Sequence, residues 1–386
     1  MKRLRVAVLY GGRSGEHEVS LASAAAVWAN LNRKRYEPVA IRIEKDGRWV
    51  LADRPPSAAS AAEVIEQTRA DASRLRGGRE VLFPPRPGDP TILVLDRRPN
   101  GDLEAPAVAL TGLGIDVVFP VLHGPLGEDG TIQGLLELAN VPYVGCGVLA
   151  SAVGMDKLVM KTVFRAHGLV VPDWVAVDRR DWLANPRSAT ARIDRTLAYP
   201  MFVKPANMGS SVGISKVTNA AELGAALTLA AEYDRRLVVE NAVPDAREIE
   251  CAVLGNAAPE ASVPGEIVPS REFYDYEAKY IDTGSRLEIP ATLSEAMAAE
   301  IKRQAIAAFQ AIDGAGLARV DFLVNRKTRA IFVNEINTMP GFTTISMFSK
   351  LWDASGVDYA VLVDRLLSLA IERHGEKQQL RTSAFS

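Results

Sequence analysis

Cysteine is nearly absent from this chain: only Cys146 and Cys251 occur, far apart and each in an apolar neighbourhood. Such a pair builds neither a disulfide framework nor a thiolate zinc site, and reads as two core thiols in a reducing compartment. An excess of charge of one sign is missing as well. Lys and Arg number 45 against 47 Asp and Glu, a formal net charge of -2, so nothing global draws the chain to nucleic acid or an anionic membrane. Long hydrophobic runs are lacking too. The uncharged stretch 138–155 approaches membrane-spanning length, but Asn140, Pro142, Gly145, Gly147 and Gly154 punctuate it as strand, turn and helix start. Met1-Lys2-Arg3-Leu4-Arg5 enters an apolar strand directly, without a signal peptide's apolar core and cleavage site. A cytoplasmic protein with no nucleic-acid and no membrane partner is expected. There is no fixed-period repeat and no low-complexity linker.

What is present is an ordinary globular composition: 386 residues, 48% hydrophobic and 24% charged, enough for a large core and two or three domains. Apolar runs at 5–10, 38–43 and 116–122, with an Ala-rich helical stretch from about 20 to 31, alternate strand and helix as a parallel α/β sheet does. Between them, 53–90 is rich in Ala, Arg, Pro and Gly and reads as a surface insertion with one amphipathic helix and no chemistry. Further on, a helix is predicted over 151–168, with a domain boundary near 148. Strands follow at 200–204, 212–217, 237–240, 248–254 and 265–268, with helices at 220–233, 294–312 and 358–373. A hairpin is predicted from 317–324 and 330–336.

Five constellations carry polar chemistry. In Arg319-Val320-Asp321 and Asn334-Glu335-Ile336-Asn337, residues two apart face the same side of a strand, so a hairpin brings Asp321 near Glu335 and Asn337, within a residue or two of register. Two carboxylates and an amide oxygen are hard ligands suited to magnesium, which completes its shell with water and nucleotide phosphates. The competing reading is a cross-strand salt bridge around Arg319. The loop from Lys204 to Lys216, with Gly209, Ser210, Ser211 and Gly213, suits an anion nest of backbone N–H groups, although it lacks Walker A spacing; a polar hairpin turn is its plain alternative. His123 to Gly134 follows the end of an apolar strand, where ligands bind in α/β sheets. There Glu128 and Asp129 read first as caps of the next helix, and His123 fits equally a satisfied, half-buried histidine. Gly11 to Ser20 lacks the dinucleotide-binding glycine spacing, yet offers Glu16 to a substrate ammonium; its alternative is a helix start in which Glu16, Glu18 and Ser20 satisfy backbone donors. Residues 272–280, with three tyrosines and Lys279, suit a loop that closes over a ligand, against an amphipathic surface turn.

In wording and order these segments resemble the D-alanine:D-alanine ligases, members of the ATP-grasp superfamily, over nearly the whole chain. HGPLGEDGTIQG (123–134) looks like the family's first signature, and GLARVDFLV (316–324) with FVNEINTMPG (332–341) looks like its second. GGRSGEHEVS (11–20), KPANMGSSVGISKV (204–217), REIECAVLGN (247–256) and FYDYEAKY (273–280) also match. The resemblance implies an α/β fold: an N-terminal parallel-sheet substrate domain over 1–148, then a two-part ATP-grasp fold of α+β type, over 149–238 and 239–386. It implies ATP-dependent joining of two D-alanines for peptidoglycan and the cell wall, with ATP, two Mg2+ ions (or Mn2+), and a homodimer.

Carried over residue by residue, the resemblance puts Lys157, Lys204, Ser210 and Ser211 with the nucleotide phosphates. Glu240 and Glu248 fall on the adenine and ribose side, and Lys279 reaches the terminal phosphate. Asp321, Glu335 and Asn337 hold the metal. Glu16 takes the first D-alanine's ammonium, His123 assists at its carboxylate, and Ser346 binds the second carboxylate. Arg319 and the Gly341 N–H face the oxyanion, while Tyr280 and Ser210, linked toward Glu16, orient the second step. Tyr280 speaks against D-lactate as second substrate, leaving D-serine as the rival to D-alanine, and retention of all three metal ligands speaks against a non-catalytic nucleotide binder. One departure is Asn241, where many relatives carry Lys or Gln near the adenine.

Overall fold

The apolar run behind the N-terminus forms β1 (Leu4–Gly11), whose Val6, Ala7, Val8 and Leu9 are wholly buried. A strand apolar on both faces has to be covered on both, as in a parallel sheet under helices. It pairs in parallel with β2 (Tyr36–Ile43) on one side and β7 (Val117–Val121) on the other. Helix α1 (His17–Asn30) follows β1, and α2 (Thr131–Ala139) follows β7. The computed structural model describes residues 2–58, 60, 62–64, 66, 78–87, 91–98, 107–268 and 286–381.

The rest of this first sheet departs from the purely parallel pattern. Strands β3 (Trp49–Leu51), β4 (Arg79–Leu82), β5 (Thr91–Arg98) and β6 (Ala107–Gly114) add on antiparallel, giving the order β6-β5-β4-β3-β2-β1-β7. The segment 53–90 is therefore more than a surface insertion. It supplies β4 to the middle of the sheet, and Ala58 and Val64 are buried in the core. Four residues that include Arg79 and Glu80 carry no apolar run, so pairing with neighbours, and not local pattern, makes this strand.

The predicted helix at 151–168 is two helices, α3 (Val148–Met155) and α4 (Lys157–Ala166). Asp156 has extended backbone between them, and its carboxylate caps α4 by accepting from Leu158 N at 3.2 Å and Val159 N at 3.1 Å.

The second sheet is antiparallel, in the order β10-β9-β11-β8, from β8 (Trp174–Asp178), β9 (Met201–Pro205), β10 (Ser215–Val217) and β11 (Arg236–Asn241). Trp182 of α5 (Arg179–Ala184), Ile193 of α6 (Pro186–Thr196) and Leu223 and Leu227 of α7 (Ala220–Tyr233) pack with its apolar residues. The boundary expected between 238 and 239 falls inside β11, whose residues all belong to this sheet.

The third sheet runs β15-β14-β12-β16-β17, with β13 on the side of β12. Its strands are β12 (Ala246–Gly255), β13 (Glu260–Ala261), β14 (Gly265–Val268), β15 (Arg286–Glu288), β16 (Gly316–Asn325) and β17 (Ile331–Asn337). Helix α8 (Glu295–Ala311) lays Ile301, Ala305, Ala308 and Phe309 against Ile249, Cys251, Val320 and Phe322; Met160 and Phe164 of α4 join this core. Helices α9 (Met347–Asp353) and α10 (Tyr359–Gln378) share another core with β1 and β7 of the first sheet. Both cysteines are buried free thiols, and burial pushes Cys146 up to about 11 and Cys251 to about 12. Among the described residues no helix is long and apolar enough to cross a membrane.

Candidate functional site

The sheets meet around one cleft of about 650 Å³. Glu16 lies in its wall, in the turn between β1 and α1, next to the loop after β7; both turns stand at the C-terminal ends of neighbouring parallel strands, where ligands bind in open α/β sheets. Ser14 ties the two turns together by donating to the His123 carbonyl at 2.7 Å. From the second sheet, Ser210 donates to the Glu16 carboxylate. Both Ser210 and Ser211 have left-handed backbone, with φ of 48° and 60°, so the predicted strand 212–217 shortens to β10 behind a tight turn. A side chain at Gly124 would strike the Glu16 carboxylate, and one at Gly209 would come within 2.9 Å of it. Glycine at these two positions is what lets three loops close on one carboxylate.

Near the loop that carries Ser210, Glu240 is buried between two lysines. Lys204 Nζ lies 2.6 Å from one carboxylate oxygen and Lys161 Nζ 2.7 Å from the other. Burial alone would raise the Glu240 carboxyl, but Lys161 and Lys204 outweigh it and hold it at about 2. Burial pulls the Lys161 ammonium down, whereas at Lys204 the same carboxylate outweighs burial and raises it. Both Glu240 oxygens are held by lysines, in a residue that lines the cleft. Lys161 escaped sequence reasoning, although its position one helical turn after Lys157 was the available signal. Lys157, opening α4, donates to the Met208 carbonyl at 2.8 Å and lies 3.9 Å from Glu335.

The third sheet provides the acids. Along β16, Val320, Phe322 and Val324 are buried under α8, which turns Arg319 and Asp321 to the cleft. Asp321 pairs directly with Glu335, and Arg319 with Asn337. The ladder shifts between Asp321 and Phe322, so that Asn334 is an extra residue, a β-bulge of the kind found beside functional sites. Arg319 makes a two-pronged bond to Asp321, 2.7 Å at each oxygen, and lies 2.9 Å from Glu250, so the salt bridge of the competing reading is present. Burial disfavours its charge, but Asp321 and Glu250 outweigh burial. Asn337 donates to Asp321 at 3.0 Å. Glu248 lines the same cleft from β12.

Among the described residues, no three His, Cys, Asp or Glu side chains form a metal cluster. The donor set is instead two carboxylates and an amide oxygen, in a cleft that also holds Glu16, Glu128 and Glu250. Burial, and then the charge of Glu16, push the Glu128 carboxyl well up. The hard oxygen donors of Asp321, Glu335 and Asn337 are of the kind that suits a magnesium ion. Of the two acids expected to cap α2, Asp129 accepts from its first residue, Thr131 N, at 3.0 Å and from Leu126 N at 2.9 Å, whereas Glu128 turns back into the loop and accepts from Gly124 N at 3.2 Å.

His123 is the satisfied histidine of the plainer reading. Nδ1 bonds the Met339 carbonyl at 2.9 Å and Nε2 bonds Ser23 Oγ at 3.0 Å, with 4% of the residue exposed. Both ring nitrogens are bonded to protein groups, in a residue that also lines the cleft. Gly341 and Ser346 line the cleft, with Ser346 Oγ bonded to Thr343 N at 3.0 Å and Thr343 Oγ1 at 2.7 Å.

Two family models match the chain: the D-ala D-ala ligase N-terminus over residues 5–146 and the D-ala D-ala ligase C-terminus over residues 163–368. The chain belongs to the D-alanine–D-alanine ligase family. A D-alanine–D-alanine ligase of Heliobacterium modesticaldum is 49% identical, covering 99% of this chain and 98% of that one. Among solved structures, the D-alanine–D-alanine ligase of Coxiella burnetii is 39% identical with a TM-score of 0.78, over 98% of this chain and 97% of that one. The VanG D-Ala:D-Ser ligase of Enterococcus faecalis is 32% identical with a TM-score of 0.79, over 96% of this chain and 100% of that one.

As a member of this ligase family the chain has an α/β ATP-grasp fold. Every described candidate residue of the ligase reading lines the one cleft. Lys279 and Tyr280, with the whole segment 273–280, lie outside the described residues. Asn241, expected from the sequence to depart from the family's pattern, accepts from Ala198 N at 3.0 Å, so its side chain fastens a neighbouring loop.

Proposed function

We propose that the chain joins two D-alanine molecules into D-alanyl-D-alanine, using ATP and passing through an acyl phosphate, as a step in peptidoglycan precursor synthesis. The observation that carries this reading is the single cleft in which the Glu16–Ser210 bond faces Arg319, Asp321 and Glu335 from another sheet. Glu16 holds the first D-alanine's ammonium, with Ser210 fixing the carboxylate's direction. Lys157 and Lys204 hold the nucleotide's phosphates, with Ser210 and Ser211 in the loop above them, and Glu248 faces the ribose. The first substrate's carboxylate attacks the terminal phosphate, a transfer in which positioning and charge neutralisation do most of the work. Asp321, Glu335 and Asn337 would hold Mg2+, which when bound supplies charge neutralisation at the phosphates. Ser346 binds the second D-alanine's carboxylate, and its amine attacks the acyl carbon. Arg319 and the Gly341 N–H stabilise the oxyanion that forms before phosphate leaves.

Family membership, and not geometry, supports roles for Lys279 at the terminal phosphate and for Tyr280 in the second step. It likewise supports a cytoplasmic homodimer and the three-part division of the chain, with the second boundary moved past β11. The test is phosphate release with D-alanine, D-serine and D-lactate, alone and in pairs, with the product identified by mass. D-Alanine alone should release phosphate and give the homodipeptide. Because a D-Ala:D-Ser ligase is among the similar structures, preferential mixed product with D-serine would replace the second-substrate assignment; no D-alanine-dependent phosphate release would sink the reading.

A further inference from the structure

The loop that carries Gly341 is held by a closed set of buried bonds reaching from the first sheet's elements. The Met339 carbonyl accepts from His123 Nδ1 at 2.9 Å, which puts the imidazole proton on Nδ1, since a carbonyl only accepts. Nε2 then accepts from the Ser23 hydroxyl at 3.0 Å, and Ser23 Oγ accepts from the Phe342 N–H at 3.1 Å. Tyr359 donates to the Phe342 carbonyl from the other side. Ser23 is wholly buried in α1 and touches none of the groups assigned to substrate. Gly341 lies between the two peptides so gripped, and a side chain there would come within 3.1 Å of Ser346 Oγ.

We infer that Ser23 and His123 are positioning residues, which aim the Gly341 N–H at the forming oxyanion by holding the Met339 carbonyl and the Phe342 N–H on either side of it. This rests on the role given to Gly341 above. An oxyanion donor matters in the second half-reaction and not in the first, so the signature is a split between them.

The experiment uses Ser23→Ala in the full chain, with wild type run in parallel. Misaiming the donor should lower the turnover for dipeptide about 10²-fold. The KM for ATP and for D-alanine at the first site should stay at the wild-type values. So should the D-alanine-dependent scrambling of label between bridging and non-bridging β-phosphate oxygens of ATP, which reports the acyl phosphate alone. His123→Asn, whose amide can stand where Nδ1 stands, should lose less turnover than His123→Ala. Undiminished turnover in a folded Ser23→Ala protein overturns the inference, as does an equal fall of turnover and scrambling, which marks general loosening. If Ser23→Ala does not fold, Tyr359→Phe, which releases the Phe342 carbonyl, must show the same split or the inference fails. Wild-type protein that neither scrambles label nor makes dipeptide indicts the proposed reaction rather than this positioning role.

Discussion

Glu335 and Gln differ by a charge and hardly in volume, which makes the pair a clean probe of whether the acids facing Arg319 work on a cation. Glu335→Gln is expected to lower ligase turnover at least about 10²-fold at ordinary magnesium with an unchanged circular dichroism spectrum. Turnover near wild type would remove Glu335 from the metal set. Arg319→Met should cost roughly 10²- to 10³-fold in turnover as one oxyanion donor is lost. If instead the melting point falls and each folded molecule turns over as before, the pair with Asp321 and Glu250 is the residue's whole role. At this scale the sequence was informative about placement where a hairpin sets it, since Arg319 and Asp321 do lie opposite Asn337 and Glu335. It was uninformative where the role is set by partners distant in the chain. Nothing near His123 announces Met339, and nothing near Glu240 announces Lys161; both bonds exist only after sheets have packed.

Helix α4 shows what an element adds. Its start is set by the Asp156 cap, and 3.6-residue periodicity then carries Lys157 and Lys161 to the same side, one lining the cleft and one wholly beneath it. Lys161→Met should destabilise the protein by about 3–5 kcal/mol, because it leaves Glu240 buried with half its compensation. Adding Glu240→Gln should recover part of that loss in denaturant titrations. Recovery of nothing would mean that Lys161 contributes packing alone. The third sheet's hairpin, α7, α8 and α10 were legible because each carries its own period or a short turn. Strands β4 and β8 and helices α5 and α6 were not, since they are short or rich in charged and polar residues.

Over the whole molecule, buried titratable groups set a pH response. Burial lowers both His17 and His123 below the usual 6.5, with the Gly12 carbonyl at 2.7 Å from His17 Nδ1 opposing it in part. Below 6.5 the unfolded chain binds protons that the folded one refuses, so stability rises with pH up to about 6.5 and is lost as pH falls. Glu128 works in the opposite sense: its raised carboxyl lets the folded chain bind a proton above the usual 4.5, which favours folding on acidification. Melting points between pH 7.5 and 5.5 should therefore fall for wild type, fall less for His123→Asn, and fall more for Glu128→Gln. A Glu128→Gln profile flat over that window would mean that His17 and His123 are not held neutral. The cleft itself was only partly legible, because its walls come from three sheets that no local pattern relates.

The extra residue in β17 has one more consequence, which is a matter of parity. Ile331 and Val333 sit at odd positions and face the core; so would Glu335 and Asn337, were the strand regular to its end. Asn334 changes the count once, and the same odd positions then face the cleft while Ile336 takes the core side. Deleting Asn334 would leave both ligands in the cleft on a plain ladder. Straightened into a regular ladder at its present length, the strand would instead turn both toward the core that Ile331 and Val333 share.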